Sequence, residues 1–274
     1  MKRKKKFPIF SSIILAIICL GCLGSEVIMN HDPLYLDLMH IGEAPSKEYF
    51  FGTDPMGRDI FSMIWYGGRV SLCIGVCSSA LSTLIALFYG GISGFSGEQV
   101  DKILMRISDL ILSIPSILLI LFIQGILQND SALSIIFTIA FTSWVSMAKI
   151  VRSEVRQIRN SNYIISARKM GAKFPYLLRV HFFPNIFPSI VFMIVTNVGT
   201  AIASEATLSF LGIGLPIEEV SWGTMLSNAD QALLSNEWWV IVIPGVFLVT
   251  VILCMMSLGN YFREETIPKC SNLC

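Results

Sequence analysis

Long apolar runs separated by short polar segments dominate the chain. A helix needs about 20 apolar residues to cross the hydrocarbon core of a bilayer. Six runs reach about that length: 7–24, 70–95, 107–127, 132–151, 187–203 and 238–261. The pattern therefore predicts an all-α, polytopic membrane protein with six transmembrane helices.

The composition agrees with this pattern. Hydrophobic residues make up 54% of the chain and charged residues only 14%, whereas soluble domains hold about 45–50% and about 25%. Such a composition favours an integral membrane protein.

The distribution of Lys and Arg predicts the orientation, because cytoplasmic flanks hold the basic excess. Seventeen of the 20 Lys and Arg residues lie near the N-terminus, in 98–106, in 149–179 or in the C-terminal tail. The stretches predicted to be external, 25–69, 128–131 and 204–237, hold three basic residues against twelve acids, not counting Glu205. Both termini are therefore predicted to be cytoplasmic.

This topology divides the chain into three parts. Residues 1–69 form the first helix plus an external segment, residues 70–262 form a core of five helices with a cytoplasmic loop at 152–187, and residues 263–274 form a cytoplasmic tail. The first run also resembles a secretory signal peptide, and "CLGC" resembles a lipoprotein cleavage box. Cys19 stands where such a box has a branched apolar residue, and cleavage would leave an odd number of spans. A retained helix is favoured, and the fate of this span stays open.

The sequence contains no pattern typical of a catalytic or cofactor-binding site. The nucleotide-binding pattern GxxxxGK[ST] is absent, and none of the three His residues has ligands at a metal-binding spacing. The seven Cys residues form no readable disulfide framework. The basic residues follow membrane topology without interleaved aromatic residues, which argues against nucleic-acid binding. We expect no enzyme activity, cofactor or metal, so that any ATP used would be hydrolysed by another chain.

The predicted cytoplasmic loop contains "RSEVRQIRNSNYIISARKMGAKFPYLLRVHFFPNIFPS", with seven basic residues and one acid. Asn162 is a favourable helix N-cap, and Gly171 suits the left-handed end of a short helix. Pro175 suits the first turn of a second short helix, which we expect Pro184 to end. Two short helices around a glycine corner favour insertion into a groove of a partner protein. A connector that lies on anionic lipid is the alternative.

This loop resembles the cytoplasmic loop of permease subunits in binding-protein-dependent ABC importers. The family pattern is Y-[VI]-x-A-A-R-x-x-G-A followed by H-x-x-P-N, and Ser166 replaces the first Ala here. The matching residues are Tyr163, Ile164, Ala167, Arg168, Gly171, Ala172, His181, Pro184 and Asn185. The resemblance implies that residues 163–172 dock into a cleft of a cytoplasmic ATPase and pass on its closing motion.

Ahead of the second apolar run, "FGTDPMGRDIFSMIWYGGRVSL" is similar to a signature of the second, C-type permease subunit of peptide and nickel importers. The matching residues are Gly52, Thr53, Asp54, Gly57, Arg58, Asp59, Ser62, Gly67, Arg69, Ser71 and Leu72. The three charged residues of 54–59 are expected to pair at the outer surface, where a binding protein would dock. A solvated charged loop is the alternative.

A third stretch, "SEATLSFLGIGLPIEEVSWGTML", is similar to another segment of the same subunit. Glu205 lies within or at the end of an apolar run, and such a carboxylate is costly unless it faces the interior of the bundle or water. We therefore expect Glu205, with Ser209 and Phe210, to line or gate a translocation path. An interfacial acid that reaches toward water is the alternative.

Together the three motifs imply a type I ABC importer permease fold and a multi-pass protein of the bacterial cytoplasmic membrane. The implied function is ATP-driven import of oligopeptides or dipeptides. The implied partners are a second permease subunit, one or two cytoplasmic ATPases, an external binding protein, a peptide and membrane lipid. A nickel or other small-solute permease is the first alternative. An ion-driven secondary transporter is less favoured, because the apolar runs hold essentially one ionisable residue and no internal repeat. A membrane-anchored enzyme lacks any catalytic pattern.

Overall fold

The computed structural model describes residues 7–216 and 218–271, and for residues 168, 174, 175 and 264–271 it describes the backbone alone. The predicted basic start lies outside this part of the chain. The helices are α1 Ile9–Leu23, α2 Ser25–Ile28, α3 Ile60–Phe95, α4 Glu98–Leu112, α5 Ser116–Leu127, α6 Ala132–Arg159, α7 Asn162–Lys169, α8 Phe174–Leu177, α9 Phe183–Phe210, α10 Trp222–Leu226, α11 Ala229–Leu234 and α12 Trp238–Ser271. A π-helical turn, Leu178–Phe182, joins α8 to α9.

Four helices in the described ranges are long and apolar enough to span a membrane: α3, α6, the helix of residues 178–210 and α12. Helices α4 and α5 qualify together as a fifth, broken span. Helix α1 is apolar but has only 15 residues, which is about 22 Å of helix at about 1.5 Å per residue. The chain is thus an all-helical, multi-pass membrane protein with four or five helices of spanning length, and α1 is shorter.

The predicted run 107–127 is not one continuous helix. Helix α4 begins at Glu98, and the chain bends by 85° between α4 and α5. Pro115 causes the break, because proline cannot donate a helical hydrogen bond and disfavours the helical conformation of the residue before it. The Asp109 carboxylate of α4 pairs with Lys149 of α6 at 2.6 Å.

Proline at 184 does not end the second short helix, so that prediction is wrong as well. The helix continues from the π turn into α9, with Pro184 in its first turn. In the π turn the Phe183 N–H donates to the carbonyl of Leu178, five residues back. A wider turn of this kind accommodates a proline that a regular helix would not.

Helices α3 and α6 pack closely near the end of the bundle that carries α7. A Cβ atom added at Gly90 would lie 2.4 Å from the Ala148 carbonyl oxygen, and one added at Gly94 would lie 2.7 Å from Val155. The absence of side chains at these two glycines therefore brings the backbones together. The buried cluster at this end also contains residues of α7, α8 and α9.

Candidate functional site

The predicted glycine corner exists and has a Schellman geometry. The N–H of Ala172 donates to the carbonyl of Ala167, five residues back, at 3.0 Å. Gly171 has φ of +86°, a conformation that glycine adopts without steric cost. Helix α7 thus ends where the sequence predicts, and the chain turns sharply into α8.

The matched residues of this loop divide into buried and exposed sets. Ile164 and Ala167 belong to the buried cluster that also holds Phe182. The rings of Tyr163 and His181 lie 5.6 Å apart between centroids. These side chains fasten α7 to the π turn.

The remaining matched residues lie around this contact. The Asn185 side chain donates to the carbonyl of His181 at 2.5 Å. Pro184 is exposed, Ala172 is partly buried, and the Arg168 side chain lies outside the described part. Large apolar or aromatic side chains are exposed beside the corner: Ile165, Met170, Tyr176, Leu178 and Val180. The loop therefore has a buried side and an exposed apolar side.

At the opposite end of the bundle, Asp54 and Arg58 form a buried ion pair. The Arg58 Nε and Nη2 atoms both lie 2.8 Å from Asp54 Oδ2, and the two residues are 2% and 5% exposed. Asp54 Oδ1 accepts hydrogen bonds from the backbone N–H groups of Met56 and Arg58. The expected pairing is confirmed for these two residues, but the pair is buried rather than at the surface.

Asp59 has a different role from the one expected. Its Oδ2 atom accepts hydrogen bonds from the N–H and the hydroxyl of Ser62 at 3.0 and 2.6 Å, which caps the start of α3. Carboxylates are favourable caps, because they satisfy free N–H groups at the positive end of the helix dipole. The cap explains why α3 begins at Ile60, ten residues before the predicted span.

Gly52, Thr53 and Gly57 hold the preceding loop against this cap. A Cβ atom at Gly57 would lie 1.9 Å from the Asp37 carbonyl oxygen, and φ is positive at both glycines. The Thr53 hydroxyl donates to the His40 carbonyl at 2.5 Å and accepts from the Glu43 N–H at 2.8 Å. The signature 52–59 is thus a buried scaffold for residues 37–43, and the solvated-loop alternative is wrong for this part.

One titratable pair lies on the scaffolded loop. His40 Nδ1 lies 2.8 Å from Asp37 Oδ2. The hydrogen bond that His40 donates to Asp37 raises the pKa of His40 and lowers the pKa of Asp37. Between the lowered pKa of Asp37 and the raised pKa of His40, the carboxylate is negative and the imidazole is positive.

Glu205 is fully buried and accepts three hydroxyl hydrogen bonds. Ser221 and Ser209 donate to Oε1 at 2.7 and 3.0 Å, and Ser71 donates to Oε2 at 3.2 Å. The three serines belong to the cap of α10, to α9 and to α3. Three donors offset part of the cost of removing a carboxylate from water. The interfacial alternative is wrong, because the Glu205 side chain reaches no solvent.

The two motifs at this end of the bundle meet at α10. The Trp222 backbone N–H donates to the Ser71 hydroxyl at 3.1 Å, and its indole N–H donates to the Ile64 carbonyl at 3.0 Å. A Cβ atom at Gly68 would lie 2.7 Å from the Trp222 ring. The sequence had presented 51–72 and 204–226 as separate stretches, and the structure joins them around Glu205.

Ser209 and Phe210 differ in burial. Ser209 is buried beside Glu205, whereas Phe210 is half exposed. Ser221 was missed as a partner of Glu205. The spacing of Ser221 and Thr224 could have indicated it, because the two residues form a capping box at the start of α10. This capping box points the Ser221 hydroxyl inward. Within the described residues, no three His, Cys, Asp or Glu side chains converge as metal ligands would.

The fold defines the chain as a multi-pass helical membrane protein with a helical corner at one end and a buried carboxylate site at the other. Residues 83–266 match the family model described as binding-protein-dependent transport system inner membrane component. The chain belongs to this family of transport-system membrane components, as the three motifs predicted.

Curated relatives cover nearly the whole chain. The oligopeptide transport system permease protein OppC of Bacillus subtilis (strain 168) is 36% identical over 267 residues, covering 97% of this chain and 87% of that protein. The dipeptide transport system permease protein DppC of the same strain is 32% identical, covering 97% and 83%. The probable D,D-dipeptide transport system permease protein DdpC of Escherichia coli (strain K12) is 29% identical, covering 98% and 90%.

Proposed function

We propose that this chain is a transmembrane permease subunit of an ATP-driven importer of oligopeptides or dipeptides. The observation that carries the proposal is the α7–Gly171–α8 corner, which presents exposed apolar side chains on a buried base. The similarity to peptide permeases of two bacteria supports the substrate class. The chain hydrolyses no ATP itself in this proposal.

The partners follow from the same proposal. A second permease subunit completes the path, one or two cytoplasmic ATPases bind the corner, and an external binding protein delivers the peptide. The protein lies in the bacterial cytoplasmic membrane with both termini inside and with α1 as the first of six spans. This orientation places the corner in the cytoplasm, where ATP is available, and places α10 and the signature 52–59 outside.

The mechanism is alternating access. ATP binding by the partner ATPases closes their cleft and displaces α7, and the buried contacts of Ile164 and Ala167 pass that displacement to α6 and α9. At the other end, Glu205 fastens α10 to α3 and α9 through three hydroxyls. We place Glu205 and Ser209 at the external gate, and the half-exposed Phe210 in the path. The signature 52–59 supports the external docking face.

The function is tested by peptide uptake into proteoliposomes that contain this chain with its co-purifying subunits. We expect uptake that requires the binding protein and ATP and that survives a protonophore. Uptake that persists without ATP and collapses with the protonophore would instead establish an ion-driven transporter. Nickel uptake without peptide uptake would instead show that the chain is a nickel permease.

Replacing Glu205 tests the gate. Glu205→Leu leaves three buried hydroxyls without their acceptor, which costs about 1–3 kcal/mol for each polar group left unsatisfied. We expect peptide uptake to fall at least tenfold while the chain still inserts. Glu218→Leu is the matched control, because Glu218 is an exposed acid of the same segment, and its uptake should stay within twofold of the unmodified protein. Normal uptake by both Glu205→Leu and Glu205→Ala would remove Glu205 from the gate.

A further inference from the structure

A second buried carboxylate lies at the α7 end of the bundle. Asp101, in the first turn of α4, is 3% exposed. Its Oδ1 accepts from the Ser93 hydroxyl of α3 at 2.6 Å. Arg152 of α6 contacts both carboxylate oxygens through Nε and Nη2, and Arg156 donates to Oδ2 at 2.7 Å. One carboxylate thus connects three helices, and no motif of the sequence had singled it out.

Asp101 is the buried charged link of α4 to the bundle, and the Tyr89 hydroxyl of α3 adds a neutral one by donating to the Leu104 carbonyl of α4 at 2.6 Å. Helix α3 needs no such link to α6, because Gly90 and Gly94 already bring the two backbones together. The other ion pair between α4 and α6, Asp109 with Lys149, has side chains that are 59% and 37% exposed. Exposed pairs contribute little, whereas a two-point contact between arginine and a buried carboxylate is strong and directional.

The same segment of α6 also carries α7. Helix α6 ends at Arg159 and α7 begins at Asn162. Val155 and Ile158 of α6 lie in one buried cluster with Ile164 and Ala167 of α7. The Arg159 side chain donates to three carbonyls at the end of α3, those of Gly94, Phe95 and Ser96. A displacement of α7 therefore reaches α6 first and α3 with it.

Helix α4 leads through the 85° bend into α5, which forms part of the proposed spanning region. We propose that Asp101 is a positioning residue for transport: it makes the α4–α5 arm follow α6 when α7 is displaced. This inference rests on the proposed function, since it concerns how the motion of the ATPase reaches the membrane. It predicts that loss of the Asp101 contacts uncouples ATP hydrolysis from transport.

The first test compares Asp101→Asn with Asp109→Asn in proteoliposomes that contain the complete importer. Asparagine keeps the shape of the side chain and removes the charge that both arginines need. We expect the ATPase still to co-purify and to hydrolyse ATP, while peptide uptake per ATP falls at least tenfold. The control, Asp109→Asn, should change this ratio less than twofold. A ratio unchanged in Asp101→Asn, including parallel losses of uptake and hydrolysis, overturns the proposal.

The second test measures motion directly. Spin labels on unnatural amino acids at Ile103 of α4 and Ile150 of α6, both exposed, report the distance between the two helices. We expect a narrow distribution that ATP with vanadate leaves unchanged in the unmodified complex and that Asp101→Asn broadens. An equally narrow distribution in the variant overturns the proposal. If Asp101→Asn does not accumulate in membranes, Arg152→Lys decides instead, because it keeps a charge but removes the two-point contact.

These tests separate the two proposals. If no ATPase co-purifies with the unmodified chain, the proposed function fails, whereas the distance measurement still shows whether Asp101 holds α4 to α6. If transport is ATP-driven and the ratio is unaffected in Asp101→Asn, only the role of Asp101 fails.

Discussion

Arg58→Ala is expected to lower the free energy of unfolding by about 3–5 kcal/mol, because it leaves a buried carboxylate without its counter-charge. Asp54 is 2% exposed, and both nitrogen contacts from Arg58 end on the same Asp54 oxygen. The hydrogen bonds that Asp54 Oδ1 accepts from two backbone N–H groups would remain, but they do not neutralise the negative charge of the carboxylate. Unfolding in mixed micelles, followed by proteolysis of the unfolded fraction, measures this difference. A lower level of the protein in membranes should accompany it.

The chain offers a matched control for this substitution. Arg69 also pairs with a carboxylate, that of Glu26 at 3.0 Å, but the side chains are 40% and 73% exposed. An exposed pair contributes about 0–1 kcal/mol, so Arg69→Ala should differ little from the unmodified protein. Equal effects of the two substitutions would show that burial of the Asp54–Arg58 pair contributes nothing to stability.

Gly171→Val is expected to reduce peptide uptake at least tenfold while membrane insertion stays normal. The strain is in the backbone, because φ is +86° and a Cβ atom at this position would meet nothing within 4 Å. A left-handed conformation costs about 1–2 kcal/mol for an ordinary L-residue, and β-branched residues adopt it least readily. The corner between α7 and α8 would open to relieve this strain, and the exposed side of the loop would lose its shape. Uptake and ATP hydrolysis in proteoliposomes measure the result.

Gly97→Val is the control for Gly171→Val. Gly97 lies in the turn before α4, has equally open surroundings and has φ of −69°, which valine adopts without strain. We expect uptake within twofold of the unmodified protein. Normal uptake by Gly171→Val would show that the left-handed corner is not needed for coupling.

The corner itself was predictable, because its determinants are local. Gly171 has a strong preference for the position just after a helix, and α7 ends before it. The predicted start was one residue off: Asn162 is the first residue of α7 rather than its N-cap, because the N–H of Ile165 donates to the Ser161 carbonyl. The position of Pro184 was not predictable in the same way. Whether a proline ends a helix depends on whether a π turn precedes it, and the packing of Phe182 against distant residues influences that choice.

The buried carboxylates show the same division between local and distant causes. Sequence alone predicted that Glu205 faces the interior of the bundle or water, because a carboxylate in an apolar run is costly. Its donors lie 134, 16 and 4 residues away, and only the nearest lies on the same helix. Asp101 gave no signal, since an acid in the first turn of an amphipathic helix has an ordinary explanation in the helix dipole. Its two arginines follow 51 and 55 residues later.

The orientation and the partner of α7 are the centre of the account, and a photo-crosslinking residue placed at Met170 tests both. Met170 is 82% exposed beside the corner, and Leu234, 90% exposed at the α10 end, is the matched control. The account predicts that irradiation of intact native membranes joins Met170 to a cytoplasmic P-loop ATPase and that Leu234 never does so. Adducts of Met170 with lipid alone would contradict the account and return the loop to a lipid-bound connector, and ATPase adducts at Leu234 would reverse the orientation.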